Sequence, residues 1–245
     1  MGARIIGIIP ARYASSRFPG KALADIHGKP MVQHVVERVS RAALLDDVLV
    51  ATDDRRILEA VHAFGGKACL TSPTHPSGTD RIAEVVRDLP CDLVVNVQGD
   101  EPLLDPMVID QAVKPMAEDT SIPMGTVARP MGFVEAADPS KVKVVLDRQG
   151  FALYFSRSRI PFVRDDASSG GERPYLLHMG LYVYRRETLL RLAALPPTPL
   201  EERERLEQLR ALEHGIRIRV VITEHETFGV DTPADLERVR EMMGV

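Results

Sequence analysis

The chain has 245 residues, of which 44% are hydrophobic and 27% are charged, and its formal net charge is −4. This length suits one large or two small domains, and the composition is that of an ordinary globular protein. The mildly acidic balance excludes a general attraction to nucleic acid or to anionic membranes. No apolar stretch approaches the roughly 18 residues of a membrane span, so we expect no membrane insertion and a cytoplasmic location.

The first predicted element is a strand at residues 5–9, where four isoleucines form an apolar run that ends at Pro10. Such a run is typical of a strand buried on both faces, and therefore central in a parallel sheet. A loop rich in Ser, Gly, Pro, Arg and Lys follows and extends to Lys21. The loop leaves the carboxyl end of the strand, where open α/β sheets bind ligands, and its basic groups and backbone N–H groups suit an anion. We infer a polyphosphate ligand.

Two common phosphate-binding motifs do not describe this loop. A Walker loop would have Gly at position 15 and Ser or Thr at position 22, where this chain has Ser15 and Ala22. The dinucleotide fingerprint G-x-G-x-x-G is also absent after the strand. The loop is therefore predicted to be neither an ATPase loop nor an NAD loop.

Strands and helices alternate in the prediction as far as residue 97. Apolar stripes at helical spacing predict helices at residues 30–43, 57–64 and 79–86, and short apolar runs predict strands at 47–51, 67–70 and 92–97. This alternation predicts an α/β fold with a doubly wound, mainly parallel sheet.

The pattern changes at about residue 123. Short apolar segments follow one another at residues 124–128, 142–146, 151–155 and 176–184, with a hairpin turn at 147–150. We expect a smaller mixed or antiparallel lobe at about residues 123–184 within a single domain that spans residues 1–245. A helix at 200–214, a strand at 216–222 and a helix at 233–243 complete the prediction.

Two carboxylates are candidate ligands for Mg²⁺, which prefers oxygen ligands and usually takes one or two carboxylates together with substrate phosphates. Asp100 follows the predicted strand at 92–97, and Gly99 before it permits close approach of the backbone. Asp231 lies just before the last helix. Thr232 and Asp235 can cap that helix as a capping box, so the Asp231 carboxylate is predicted to point at a ligand instead.

Several segments, in order along nearly the whole chain, resemble the 3-deoxy-manno-octulosonate cytidylyltransferases, the family of CMP-Kdo synthetases. The segments that carry the resemblance are IPARYASSRFPGK at residues 9–21, NVQGDEP at 96–102, ALYFSR at 152–157, HMGLY at 178–182, LEQLR at 206–210 and GVDTP at 229–233. A further segment, SGTDR at 77–81, is similar to the Ser-Gly-Thr-Glu-Arg of the family, with Asp80 in place of Glu.

The resemblance implies a fold of the nucleotide-diphospho-sugar transferase type and a magnesium-dependent, cytoplasmic homodimer. It implies that the protein joins CTP to the acidic sugar Kdo and releases pyrophosphate, in support of lipopolysaccharide synthesis. The mixed lobe would contribute to sugar binding and to the dimer contact.

The resemblance also assigns roles to particular residues. Catalysis falls to Arg12, Lys21, Asp100 and Asp231, with Asp100 and Asp231 holding the metal. The residues assigned to the nucleotide are Arg12, Ser15, Lys21, Ser77, Thr79, Arg81 and Gln98. Those assigned to the sugar are Gln98, Arg157, His178, Tyr182 and Glu207, so Gln98 has two possible ligands.

Three alternatives remain open from the sequence. The sugar can be a sialic acid or an 8-amino-Kdo, because both carry a carboxylate next to the anomeric carbon. The chain can also be a nucleotide-binding module without turnover, although two separated carboxylates and a basic loop favour an enzyme. The sequence leaves the number of metal ions and the residues of the dimer contact undecided.

Overall fold

The computed structural model describes residues 2–14, 18–164 and 175–244. The chain divides into two compact units, the first formed by Met1–Asp110 and Glu226–Val245 and the second by Gln111–His225. The predicted lobe at about residues 123–184 falls within the second unit. Within the described ranges, no helix is both long enough and apolar enough to cross a membrane.

The strands of the described residues are β1 Ile5–Ala11, β2 Asp25–Ile26, β3 Lys29–Pro30, β4 Asp47–Thr52, β5 Ala68–Leu70, β6 Leu93–Asn96, β7 Met124–Met131, β8 Lys143–Leu146, β9 Ala152–Ser156, β10 Tyr175–Arg185 and β11 Ile218–Ile222. The α-helices are α1 Met31–Val39, α2 Arg55–Ala63, α3 Gly78–Asp88, α4 Pro106–Glu118, α5 Arg186–Ala194, α6 Pro199–Glu204, α7 Gln208–Glu213 and α8 Pro233–Met243. The predicted α/β fold class is confirmed.

The sheet of the first unit is parallel and has the order β6-β1-β4-β5. Ile8 and Ile9 of β1 are fully buried, which confirms the prediction of a central strand made from the isoleucine run. The chain passes from β1 outward to β4 and β5, and then returns to place β6 on the other side of β1. This reversal makes the carboxyl ends of β1 and β6 a topological switch point, the usual ligand position in open α/β sheets.

The second unit has a mixed sheet. Strand β7 pairs in parallel with β11 and antiparallel with β10, and β8 pairs antiparallel with both β10 and β9. The predicted hairpin turn between β8 and β9 is confirmed, with Gly150 at a φ of +78° and its N–H donating to the Asp147 carbonyl over 3.0 Å. The register between β10 and β7 shifts between Met179 and Tyr182, which marks a β-bulge.

The prediction of one continuous helix at residues 200–214 is wrong. The segment forms two short helices, α6 and α7, separated at Arg205, whose φ of 54° lies in the left-handed region. The buried leucines Leu206 and Leu209 both follow this break, whereas α6 before it has no buried residue. The apolar spacing therefore indicated the burial of Leu206 and Leu209 correctly, but the continuous helix that it predicted is wrong.

Helices α4 and α5 have no counterpart in the prediction. Pro106 begins α4 and Pro115 lies inside it, and two prolines within thirteen residues obscure an otherwise helical pattern. Buried Val108, Ala112 and Met116 nevertheless recur every four residues.

Candidate active site

A pocket of about 360 Å³ lies at the carboxyl ends of β1 and β6 in the first unit. Arg12 and Lys21, from the loop after β1, line it together with Gln98 and Asp100, which follow β6. Gly78, the first residue of α3, also lines the pocket, so the partial positive charge of that helix terminus contributes to the site. The predicted phosphate loop and the predicted metal ligand Asp100 therefore share one pocket.

Lys21 brings the two predicted metal ligands together. Its Nζ donates to Asp100 Oδ2 over 2.5 Å and lies 3.5 Å from Asp231 Oδ1. Nζ also donates to the Val230 carbonyl over 3.1 Å. The two carboxylates come from distant parts of the sequence and converge on one cationic group, as expected for a site that binds cations and phosphates.

Two glycines allow the chain to approach this closely. Gly20, with a φ of +72°, reverses the loop after β1, and its N–H donates to the Tyr13 carbonyl over 2.8 Å. A Cβ at Gly99 would lie 2.8 Å from the Pro10 carbonyl oxygen, so only glycine fits between the ends of β1 and β6. These glycines fix the positions of Lys21 and Asp100.

Asp231 is held at the start of α8 by a helix cap that does not use its carboxylate. Thr232 accepts from the Asp235 N–H over 3.2 Å, and the Asp235 carboxylate accepts from the Thr232 N–H over 2.9 Å. This capping box confirms the cap predicted from the sequence. The Val230 N–H donates to the Asp100 carbonyl over 2.8 Å, so the segment before α8 is joined directly to the loop after β6.

Glu101, next to Asp100, adds little negative charge to this site. Burial, together with the neighbouring Asp100 carboxylate, raises the pKa of Glu101 to about 8. Glu101 is therefore mostly protonated at neutral pH. The negative charge near Lys21 comes from Asp100 and Asp231.

Arg12 is anchored on the segment between β5 and α3. Its guanidinium donates to the His75 carbonyl over 3.1 Å. The imidazole of His75 is hydrogen-bonded to Glu84 on α3, and Glu84 also accepts from the Ser72 N–H over 3.0 Å. The bond to His75 lowers the pKa of Glu84 and keeps it ionised. Hydrogen bonds through His75 and Glu84 thus hold the segment that positions Arg12 at the pocket.

Side chains of residues 77–81 form hydrogen bonds and an ion pair with other protein groups. Ser77 caps α3, donating to the Asp80 carboxylate over 2.6 Å and accepting from the Asp80 N–H over 3.1 Å. Arg81 is fully buried, pairs with Asp53 Oδ2 at 2.6 Å and donates to the Thr71 hydroxyl. The nucleotide-binding roles of Ser77, Thr79 and Arg81 stay predictions, and Ser15 lies outside the described residues.

The second unit brings together two of the predicted sugar-binding residues. The rings of His178 and Tyr182, which flank the bulge of β10, have centroids 5.3 Å apart. Burial lowers the pKa of His178 to about 3, and burial together with Tyr184 and Glu207 raises the pKa of the Tyr182 hydroxyl well above its usual value. Both side chains are uncharged at neutral pH, which suits contacts with sugar hydroxyls.

The other two predicted sugar-binding residues of this unit have different surroundings. The Arg157 guanidinium donates to the main-chain carbonyls of Glu204, Arg205 and Pro139, at 2.7, 3.3 and 3.2 Å. Glu207 precedes α7 as its N-cap residue. These bonds hold the Arg157 guanidinium against the protein main chain, and its sugar-binding role stays a prediction.

Sequence reasoning missed the residues that orient the predicted ones. Asp53 holds Arg81, Glu84 and His75 hold the segment that binds Arg12, and Thr126 bonds to His178. Asp53 follows β4 at the carboxyl edge of the sheet, a position that indicates a site residue. The sequence gives no comparable indication for Glu84 or Thr126. Each lies inside a regular element, Glu84 in α3 and Thr126 in β7, and not at the end of a strand.

A parallel sheet with a pocket at its switch point, a basic loop and two convergent carboxylates define the class of α/β nucleotidyltransferases. Residues 6–218 match the family described as cytidylyltransferase. The chain is 56% identical over 248 residues to the 3-deoxy-manno-octulosonate cytidylyltransferase of Geotalea uraniireducens, with 98% of this chain and 99% of that protein covered. It is 55% identical over 247 residues to the enzyme of the same name from Geobacter sulfurreducens, with 98% and 99% covered.

A solved structure of CMP:2-keto-3-deoxy-manno-octonic acid synthetase complexed with CTP has the same fold. Its TM-score is 0.94 at 46% sequence identity, and 99% of each chain is covered. The chain therefore belongs to the 3-deoxy-manno-octulosonate cytidylyltransferase family.

Proposed function

We propose that this protein is the enzyme that joins CTP to 3-deoxy-manno-octulosonate, forming CMP-Kdo and pyrophosphate for lipopolysaccharide synthesis. The observation that carries the proposal is the convergence of Lys21, Asp100 and Asp231 at the switch point of the first unit. Relatives of this family match the chain over nearly its full length, and the synthetase of similar structure was solved with CTP.

The reaction forms one bond and breaks another at the α-phosphorus of CTP. The anomeric oxygen of the sugar attacks this phosphorus and loses its proton, while the bond from the phosphorus to the bridging oxygen of the leaving pyrophosphate breaks. Catalysis of this kind is mostly positioning and stabilisation of charge. Lys21 and Arg12 bind and neutralise the phosphates, and the N-terminal end of α3 adds backbone N–H groups.

Mg²⁺ is the cofactor that the donor set fits best, with Asp100 and Asp231 as its protein ligands. Within the described ranges, no three or more His, Cys, Asp or Glu side chains are grouped so that they could hold a metal ion. The proposed site therefore has only two protein ligands. Two carboxylates that leave further positions for phosphate oxygens and water are the usual arrangement for Mg²⁺ with a nucleotide. When bound, the ion supplies positive charge to the phosphate oxygens.

We also propose that the protein is a cytoplasmic homodimer whose contact uses the second unit. An apolar groove of about 700 Å³ lies there, lined by residues of β8, β9 and β10 and by Ile160 and Pro161. Leu153 and Phe162 are 62% and 86% exposed. An apolar groove flanked by exposed large side chains is typical of a protein contact surface. Sedimentation or light scattering gives the mass of the species in solution.

The test of the proposed activity is an assay of pyrophosphate release with CTP, Mg²⁺ and one acidic sugar at a time. We expect turnover with Kdo to exceed that with sialic acid and with 8-amino-Kdo. A higher kcat/KM with either of the others would reassign the sugar. Binding of CTP without turnover of any sugar would instead identify a nucleotide-binding module.

A further inference from the structure

Thr126 lies in the middle of β7, opposite the bulge of β10, and is fully buried. Its hydroxyl oxygen has three polar neighbours in the second unit. They are the Leu181 carbonyl at 2.7 Å, the Met179 carbonyl at 3.3 Å and Nε2 of His178 at 3.0 Å. The bulge exposes both carbonyls to the hydroxyl, because it interrupts the pairing of β10 with β7 between Met179 and Tyr182.

The number of protons in this group determines the direction of each bond. A threonine hydroxyl has one proton to donate and two lone pairs to accept with. Both carbonyls can only accept, so the hydroxyl proton is directed to them, with Leu181 the nearer. The contact with His178 must then be supplied by a proton on Nε2, which donates to the Thr126 oxygen.

This assignment determines what His178 offers a ligand. The imidazole is neutral at physiological pH because burial lowers its pKa to about 3. A neutral imidazole with its proton on Nε2 has a lone pair on Nδ1, and Nδ1 is then a hydrogen-bond acceptor. The ring is oriented by Phe155, which packs edge-on at 4.9 Å, and by Tyr182 at 5.3 Å.

We propose that Thr126 is a positioning residue for sugar recognition, which holds His178 in the Nε2–H tautomer so that Nδ1 accepts a hydrogen bond from a sugar hydroxyl. In this form His178 does not bind the sugar carboxylate, because a lone pair repels a carboxylate oxygen. The inference rests on the proposed function for the identity of the ligand. The tautomer itself does not depend on that function.

The variants Thr126→Val and Thr126→Ser form a matched pair for the test. Valine has nearly the shape of threonine but neither donates nor accepts a hydrogen bond, whereas serine retains the hydroxyl. The ¹⁵N shifts of histidine-labelled protein at neutral pH report which ring nitrogen is protonated. The chain has seven histidines, and the signal lost in His178→Gln assigns residue 178.

We expect protonated Nε2 and unprotonated Nδ1 at His178 in the wild type and in Thr126→Ser. In Thr126→Val, we expect a mixture of tautomers and a rise of about tenfold in the KM for Kdo, the size expected for one hydrogen bond of about 1.4 kcal/mol. The KM for CTP should stay within about twofold of wild type, since a factor of two corresponds to only ~0.4 kcal/mol.

A proton on Nδ1 of His178 in the wild type would overturn the proposal, and this result does not depend on whether Thr126→Val folds. An unchanged KM for Kdo in folded Thr126→Val would also overturn it, as would a rise equally large for CTP. If the wild type turns over no Kdo while Nε2 is protonated, then the proposed function fails and the assigned tautomer stands.

Discussion

The ammonium group of Lys21 lies between two carboxylates from distant parts of the sequence. We expect Lys21→Ala to lower kcat by roughly 10²-fold, the typical cost of removing a group that stabilises charge in the transition state. The thermal midpoint should change little, because the pairs of Lys21 are partly exposed to solvent. Lys29→Ala is the control, since Lys29 is a half-exposed lysine paired with Glu37. Equal effects of the two substitutions on kcat would contradict a role for Lys21 in the reaction.

Asp231 and Thr232 are adjacent residues with separable roles. Asp231→Asn should keep the fold and much of the CTP affinity but lose most turnover, because an amide is a poorer ligand for Mg²⁺. Thr232→Ala should lower the free energy of unfolding by about 1 kcal/mol, since it removes a helix cap, and should keep activity. Thermal melting and steady-state kinetics of both variants check this. A destabilised Asp231→Asn with normal kcat at saturating Mg²⁺ would make Asp231 a structural residue.

His178 gives the free energy of unfolding a predictable dependence on pH. Its pKa is lowered to about 3 in the folded protein from about 6.5, so between these values the unfolded chain binds more protons. Stability from this group is therefore present above pH 6.5 and is lost as the pH falls toward 3, with a slope of up to about 1.4 kcal/mol per pH unit.

Urea denaturation of the wild type and of His178→Gln between pH 7 and pH 5 measures this slope. The difference in unfolding free energy between the two proteins should shift in favour of the variant as the pH falls. A difference that does not vary with pH would show that the imidazole titrates normally in the folded state.

Residue types and positions allowed much of the first unit's site to be predicted. Asp100 was found because it follows a buried strand, and Asp231 because its neighbours Thr232 and Asp235 can cap α8 without it. Thr126 could not be found this way, since a threonine in a β-strand is ordinary. The role proposed for Thr126 depends on the bulge in β10, and this bulge depends on the pairing of two strands more than forty residues apart.

At the scale of elements, the close approach of β1 and β6 positions the site. Gly99→Ala should lower both the thermal midpoint and kcat, because its Cβ would meet the Pro10 carbonyl oxygen at 2.8 Å and displace the adjoining Asp100. Gly132→Ala is the matched control, because a Cβ there meets nothing within 4 Å. Melting curves and assays of both variants test this. Wild-type behaviour of Gly99→Ala would show that the two strand ends can separate without harm to the site.

The elements themselves were predictable where hydrophobic pattern and terminal residues agree. Strand β1 followed from its isoleucines, and α8 begins at Pro233 as its capping sequence indicates. The break at Arg205 was not predictable, because a non-glycine residue with positive φ carries no sequence signal.

At the scale of the whole molecule, the sequence predicted the alternation of strands and helices as far as residue 97 but not the two compact units. Their boundary falls at Asp110, within α4, a helix that the hydrophobic pattern did not reveal. The strand at 216–222 was predicted, but its parallel pairing with β7 depends on contacts far apart in sequence. Pairing partners of this kind are not determined by local pattern.

The most direct measurement quantifies the CMP-Kdo and pyrophosphate that the purified protein forms from CTP and Kdo in the presence of Mg²⁺. We predict equal amounts of the two products, no pyrophosphate when Kdo is omitted, and poor turnover when UTP replaces CTP. A site that pairs the cytosine amino group leaves polar groups unpaired when it binds uracil. Release of pyrophosphate from CTP without Kdo, or equal turnover of CTP and ATP, would contradict a cytidylyltransferase that activates this sugar.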